Sequence, residues 1–205
     1  MYFKIWRYPI FKELQALKLL EESMLRVGKI KPGGILKVDS FLNHQIDPEL
    51  AHEMALEIKR LYEGTEINKV LTIEASGIAL AIMVAHVLHC PLVFAKKSKS
   101  KNISDSLYSV EVESFTHGNT NTVVVSKEYL NSSDKVLIID DFLATGAALV
   151  GLKALVEQAG AQVMGAAIAV EKVFQGGGNK LREQGLRVES LAMIGSMGDD
   201  SIEFC

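Results

Sequence analysis

Two adjacent aspartates, Asp140 and Asp141, close the apolar run Val136 to Ile139, and the small-residue stretch Ala144, Thr145, Gly146, Ala147 and Ala148 follows almost at once. A sheet core has no use for neighbouring carboxylates, because buried charge is tolerated only when it is paired and hydrogen-bonded. The end of an apolar run is also the carboxyl edge of a predicted strand, where open parallel sheets bind their ligands. The small-residue loop leads into a predicted helix, whose first backbone N–H groups lack intrahelical acceptors and can hold an anion. Small side chains let that anion approach closely, and the Thr145 hydroxyl adds a donor. A Walker loop would need Lys directly before Ser or Thr, and a dinucleotide fingerprint would place its glycines upstream of the acidic residue. Here the carboxylates precede the loop. That order suits a ligand with vicinal hydroxyls on one side and phosphate on the other, a phosphorylated ribose. Taken alone, the stretch is also compatible with one aspartate capping the helix and the other facing solvent.

Four further groups could share such a ligand. Glu74, Ala75, Ser76 and Gly77 form a strand-to-helix turn whose amides could receive a second anion, although by itself this is an ordinary turn. Lys96, Lys97, Lys99 and Lys101 place four lysines within six residues of a chain whose net charge is −3. They form either a local positive patch for a polyanion or a solvated loop. Lys172 follows the apolar segment AAIAVE and should meet the same sheet edge, where its ammonium could donate to a carbonyl oxygen. Phe174 is a candidate stacking partner, although an aromatic after a strand is more often packing. His44, His52, His86, His89 and His117 show no metal-triad spacing and receive no role.

These residues need elements to hold them. Leu14, Leu17, Leu20 and Met24 recur at helical steps, giving an amphipathic helix over about 12–26 that stops near Gly28. Asp47 followed by Pro48 signals a second helix start, continuing to about Gly64. Predicted strands at 70–73, 92–95, 136–139 and 163–170 then alternate with helices from about Gly77 and from Ala147 to Gln158. That alternation predicts an α/β fold with a mostly parallel sheet flanked by helices. Residues 96–127 break it with a polar, Ser/Lys-rich half and an alternating half around His117 to Asn119, a β-hairpin flap mounted on the sheet. The expected organisation is one domain over 1–205: an extension at 1–14, helices and a hood at about 15–64, and a core from about 65 that carries the flap.

Composition bounds the function. With 205 residues, 48% hydrophobic and 23% charged, the chain can bury a sizeable core. A net charge of −3 advertises neither nucleic acid nor anionic membrane as partner. Cys90 and Cys205 lie far apart without zinc spacing, so a reducing cytoplasm is the expected home. The apolar stretch Gly77 to Phe94 is interrupted by His86, His89 and Pro91, which argues against a membrane span.

The segment VLIIDDFLATGAA resembles the phosphoribosyl pyrophosphate signature of the type I phosphoribosyltransferases. The segments LKVDSFLNHQID, TIEASGIA, VFAKKSKS, VEKVFQ and RVESLA are similar to members that salvage purines, those acting on xanthine in particular. The resemblance covers about 15–191. It implies transfer of the phosphoribosyl group to xanthine with release of pyrophosphate, through a ribosyl cation. Asp140 and Asp141 would serve as the catalytic carboxylates and Ala144 to Ala148 as the 5'-phosphate loop. Glu74 to Gly77, with Lys96 and Lys97, would bind pyrophosphate. Leu36, Asn43, Lys172 and Phe174 would meet the base. Magnesium would be carried on the phosphoribosyl pyrophosphate oxygens with few direct protein ligands, and a homodimer is implied. Where Lys96 stands, related sequences often carry Arg, which puts a bidentate contact there in doubt. Two alternatives remain: a transferase preferring guanine, hypoxanthine or adenine, and a regulator that keeps the ribose-phosphate site but binds nucleic acid.

Overall fold

Continuous apolar runs make the central strands, because both faces of a parallel sheet are covered. In the computed structural model, which describes residues 15–31, 35–97, 106–113, 120–198 and 201–205, these runs are β3 (Lys69–Ile73), β4 (Leu92–Ala95), β7 (Lys135–Leu143), β8 (Gln162–Lys172) and β9 (Val188–Met197). They pair in parallel, and β10 (Ile202–Phe204) adds an antiparallel edge, giving the order β10-β9-β8-β7-β3-β4.

Alternation along β7 sorts the two cores. Leu137 and Ile139 face a cluster containing Leu20 and Met24 of α1 (Gln15–Val27), Met54 and Ile58 of α2 (Pro48–Leu61) and Leu80 and Val84 of α3 (Gly77–Leu88). Val136 and Ile138 face the opposite cluster, with Leu149, Leu152 and Leu155 of α4 (Ala147–Gln158). Each such side chain contributes about 1.5–3 kcal/mol when fully buried. The helix start read from Asp47 is present: its carboxylate accepts from the amides of Glu49 and Leu50 at 3.1 and 3.2 Å, with Pro48 in the first turn. No helix among the described residues is long and apolar enough to cross a membrane.

The crossover from β3 runs through α3 outward to β4, whereas that from β7 runs through α4 on the other face to β8. Neighbouring β3 and β7 thus send their helices opposite ways, which opens a crevice at their carboxyl ends.

The hairpin is formed by β5 (Leu107–Glu113) and β6 (Thr120–Ser126), in register from Leu107 opposite Ser126 to Glu113 opposite Thr120. Its root joins the sheet through paired Lys96 and Val124 amides and carbonyls, both at 2.9 Å. One flank rests on α4, where the Gln158 amide brackets the Ser109 backbone. The extension at 1–14, Lys99, Lys101 and the hairpin tip at 114–119 lie outside the described residues.

Four features differ from the sequence expectation. A two-stranded hairpin, β1 (Lys29–Lys31) with β2 (Ile35–Lys37), occupies what reads as a loop, followed by a π-helical turn at Asp39–Asn43. β7 does not stop at Ile139 but continues through both aspartates to Leu143, paired with β8 as far as Glu171. A short helix α5 (Gly177–Glu183) follows β8. The strands β9 and β10 complete one side of the sheet.

Candidate active site

Asp140 and Asp141 stand in the crevice between β3 and β7, each only 5% exposed. Their side chains make different contacts. The Asp141 carboxylate accepts from the Ser76 hydroxyl at 2.9 Å and from the Asn43 amide at 3.4 Å, joining the turn after β3 and the hood in one polar cluster. The Asp140 Oδ1 accepts from the backbone N–H of Asp141 at 3.0 Å. Burial pushes the Asp140 carboxyl well above the usual carboxylate range, and the charge and hydrogen bonding of Asp141 push the same way. The hydrogen bond from the Asp141 amide and the charge of Lys97 oppose this without reversing it. A carboxyl so placed favours any positive charge brought beside it, because that charge restores its ionised form.

The helix α4 opens at this pair. Gly146 stands at its N-cap with φ +88°, a left-handed conformation that side chains other than glycine rarely adopt. The first backbone bond across the cap runs from the Val150 N–H to the Gly146 carbonyl, so the N–H groups of Ala147 to Leu149 have no intrahelical acceptor. Ala144 to Ala148 all line the cleft.

On the opposite wall, the peptide between Glu74 and Ala75 is cis. The Glu74 carboxylate accepts from the Lys97 N–H at 2.6 Å, which ties this turn to the root of the lysine loop. A side-chain carbon on Gly77 would lie 2.4 Å from the Thr72 hydroxyl and 2.9 Å from the Asp140 carboxylate, so only glycine fits that close approach. The Thr72 hydroxyl is fully buried without a hydrogen-bond partner among the described residues.

The cleft has a volume of about 400 Å³. Besides the aspartates and the loop, Leu36, Asn43, Glu74, Ser76, Lys97 and Lys172 line it, so residues far apart in the sequence converge. Ala75 and Gly77 lie in the turn behind Ser76, outside the lining itself. Lys172 ends β8 with its ammonium 5.8 Å from the centre of the Phe142 ring, and burial lowers its pKa.

Two further candidates do not line the cleft. Lys96 lies over the Phe94 ring at 5.9 Å and lines a second depression beyond β4. Its backbone pairing with Val124 orients it away from its neighbour Lys97. Phe174 is 47% exposed in the 3₁₀ turn Val173–Gln175 and is not among the lining residues. Conversely, Phe142 and the hairpin residues Val112, Glu113 and Asn121 line the cleft without having been singled out. Phe142 had only its place beside the aspartates as a signal, because it packs with Leu137 and Ile139 and not, as strict alternation would require, with Val136 and Ile138. The hairpin residues carried no such signal, because their position depends on how the hairpin docks. Among the described residues, no group of three or more His, Cys, Asp or Glu is placed to enclose a metal ion.

Residues 37–183 match the model of the phosphoribosyl transferase domain. Xanthine phosphoribosyltransferase of Bacillus thuringiensis (strain Al Hakam) is 50% identical over 188 residues, 92% of this chain and 95% of that protein. The protein of the same name from Bacillus anthracis (strain A0248) shows the same identity and coverage. The crystal structure of adenine phosphoribosyltransferase from Rhodothermus marinus superposes with a TM-score of 0.72 at 24% identity, covering 88% of this chain and 99% of that one. That of the Saccharomyces cerevisiae enzyme gives 0.72 at 20% identity, covering 87% and 99%. At such identities the likeness to the solved structures establishes the fold.

Proposed function

The chain belongs to the phosphoribosyltransferase family, and on that premise we propose that it is a xanthine phosphoribosyltransferase of purine salvage. It transfers the phosphoribosyl group of phosphoribosyl pyrophosphate to xanthine, giving xanthosine 5'-monophosphate and pyrophosphate. The observation that carries the reading is the joining of the Asp140–Asp141 pair to the amino end of α4 in a single cleft.

The residues divide the work by chemistry. The two carboxylates accept hydrogen bonds from the ribose hydroxyls and offset positive charge that grows on the ring as the bond to pyrophosphate breaks. Because that charge exists only on the way to the transition state, its stabilisation accelerates transfer rather than merely tightening binding. The amides from Ala144 to Ala148 and the Thr145 hydroxyl hold the 5'-phosphate. Amides of the Glu74–Gly77 turn and the Lys97 ammonium receive pyrophosphate. Leu36 covers the base, Asn43 presents a donor and an acceptor to an oxo group beside a ring N–H, and Lys172 donates to a carbonyl oxygen. The hairpin closes over the cleft and keeps water from the cation.

Asp140, Asp141 and Glu74 give the cleft the hard oxygen donors that suit magnesium. The ion would be carried mainly on the diphosphate oxygens with few direct protein ligands, and it would neutralise charge on the leaving group. Placement in the cytoplasm and assembly as a homodimer accompany this reading, which involves neither nucleic acid nor membrane.

A steady-state panel of xanthine, guanine, hypoxanthine and adenine, with phosphoribosyl pyrophosphate and magnesium, tests it. Xanthine is expected to give the highest kcat/KM, and chelation of the magnesium should stop turnover. A higher kcat/KM for another base would move the assignment to that base. No turnover with any base, together with a gel shift on purine operon DNA, would favour a regulator.

A further inference from the structure

The phosphate loop is not self-supporting. Its backbone leaves β7 one residue after Leu143, the register partner of Glu171 on β8. Behind it stands α5, whose first residues are glycines. A side-chain carbon on Gly177 would lie 2.3 Å from the Ala144 carbonyl oxygen, 2.4 Å from the Thr145 carbonyl carbon and 2.6 Å from the Gly146 nitrogen. All three are backbone atoms of the loop, which a rotamer change cannot move aside. The Gly177 N–H also donates to the Ala144 carbonyl at 3.2 Å. Leu181, one turn further along and buried, would meet a Gly146 side chain at 3.2 Å. α5 therefore meets the loop at its first residue and again one turn on.

What holds α5 there is an ion pair between a buried carboxylate and a partly exposed guanidinium. The Arg182 guanidinium donates through both terminal nitrogens to the fully buried Glu171 carboxylate, at 2.9 and 2.6 Å, and the Ser190 hydroxyl donates to the same group. Burial alone would raise the pKa of Glu171, but these hydrogen bonds and the Arg182 charge leave it below the ordinary value. A side-chain carbon on Gly178 would fall 1.9 Å from the Glu171 carboxylate, so the helix start sits flush on the pair. A planar fork matched to a carboxylate fixes direction as well as distance, which an ammonium cannot do.

We infer that Gly177 and the Glu171–Arg182 pair are positioning residues for the 5'-phosphate: they set the backbone of Ala144 to Gly146 through α5 without touching substrate. The inference rests on the proposed transferase activity and adds to it a determinant specific to phosphoribosyl pyrophosphate.

The test compares Gly177→Ala with its neighbour Gly176→Asn. Gly176 has φ +75° and nothing within 4 Å of its would-be side chain, and asparagine tolerates that conformation. Gly177→Ala is expected to raise KM for phosphoribosyl pyrophosphate about tenfold, the effect of losing one hydrogen bond to a charged group. KM for xanthine should change less than about twofold, within the scatter of a surface substitution. Gly176→Asn should match the parent protein in both. Arg182→Lys keeps the charge but loses the fork, and should shift the ratio of the two KM values the same way even if Gly177→Ala does not fold. Direct titration of phosphoribosyl pyrophosphate should show the same weakening. An unchanged KM for phosphoribosyl pyrophosphate in Gly177→Ala and Arg182→Lys, or equal rises for both substrates, overturns the inference. A parent protein that turns over no purine overturns instead the function on which it rests.

Discussion

Replacing Asp140 and Asp141 together by asparagine is expected to remove transferase activity, by on the order of a thousandfold or more in kcat, while raising thermal stability near neutral pH. The loss follows from magnitude: removing one preorganised group that stabilises charge in a transition state costs about 10²–10³ in rate. Here two negative groups facing a developing cation are neutralised. The gain in stability follows from linkage. The folded Asp140 carboxyl titrates above the ordinary carboxylate range because it is buried beside Asp141. Between the ordinary value and the raised one, the unfolded chain has released its proton while the folded chain still holds it. Stability therefore falls as pH rises through that window and stays lower above it. Asparagine cannot ionise and escapes the loss, yet its oxygen can still accept from the residue 141 amide. The advantage should vanish under acid conditions, below the ordinary carboxylate value. Melting temperatures across pH, read beside turnover, check both halves. A double variant that is inactive only because it is unfolded, or one that keeps its turnover, would count against the assignment.

Lys172→Ala has the second largest expected effect, and it should be confined to the base. Its ammonium is partly buried at the end of β8, with its pKa lowered by that burial, so the protein has already met part of its desolvation cost. A hydrogen bond from a charged donor is worth about 1.5–3 kcal/mol. KM for xanthine should therefore rise by about 10–150-fold, with little change in KM for phosphoribosyl pyrophosphate. Lys172→Met, which keeps the stem against Phe142, should behave in the same way, separating loss of the donor from loss of packing. Equal rises for both substrates would contradict a base-reading role.

Much of this arrangement was legible in the chain because local rules and tertiary context agreed. The apolar runs that became β3, β4, β7 and β8 have the length and bounds of buried strands, and Asp47–Pro48 marked its helix by capping chemistry. The aspartates were conspicuous because charge at the end of such a run needs a reason. What escaped had no local signal. The glycine-rich, polar segment 176–183 drew no prediction, and the contacts that accompany its helix, Arg182 with Glu171 and Leu181 beside Gly146, are distant in sequence. β10 has three residues and exists by pairing with β9. Lys96 and Lys97 look alike in sequence, and only the pairing of Lys96 with Val124 decides which of them faces the cleft. Phe174 shows the same limit, since the turn after Lys172 leaves it on the surface.

The most direct test is a crystal structure of the protein soaked with xanthosine 5'-monophosphate. The expected arrangement has the ribose hydroxyls within hydrogen-bond distance of the Asp140 and Asp141 carboxylates, the phosphate on the backbone amides of Ala144 to Ala148, and the base between Leu36 and Lys172. Nucleotide bound elsewhere, or bound in this cleft with its phosphate away from the amino end of α4, would contradict it.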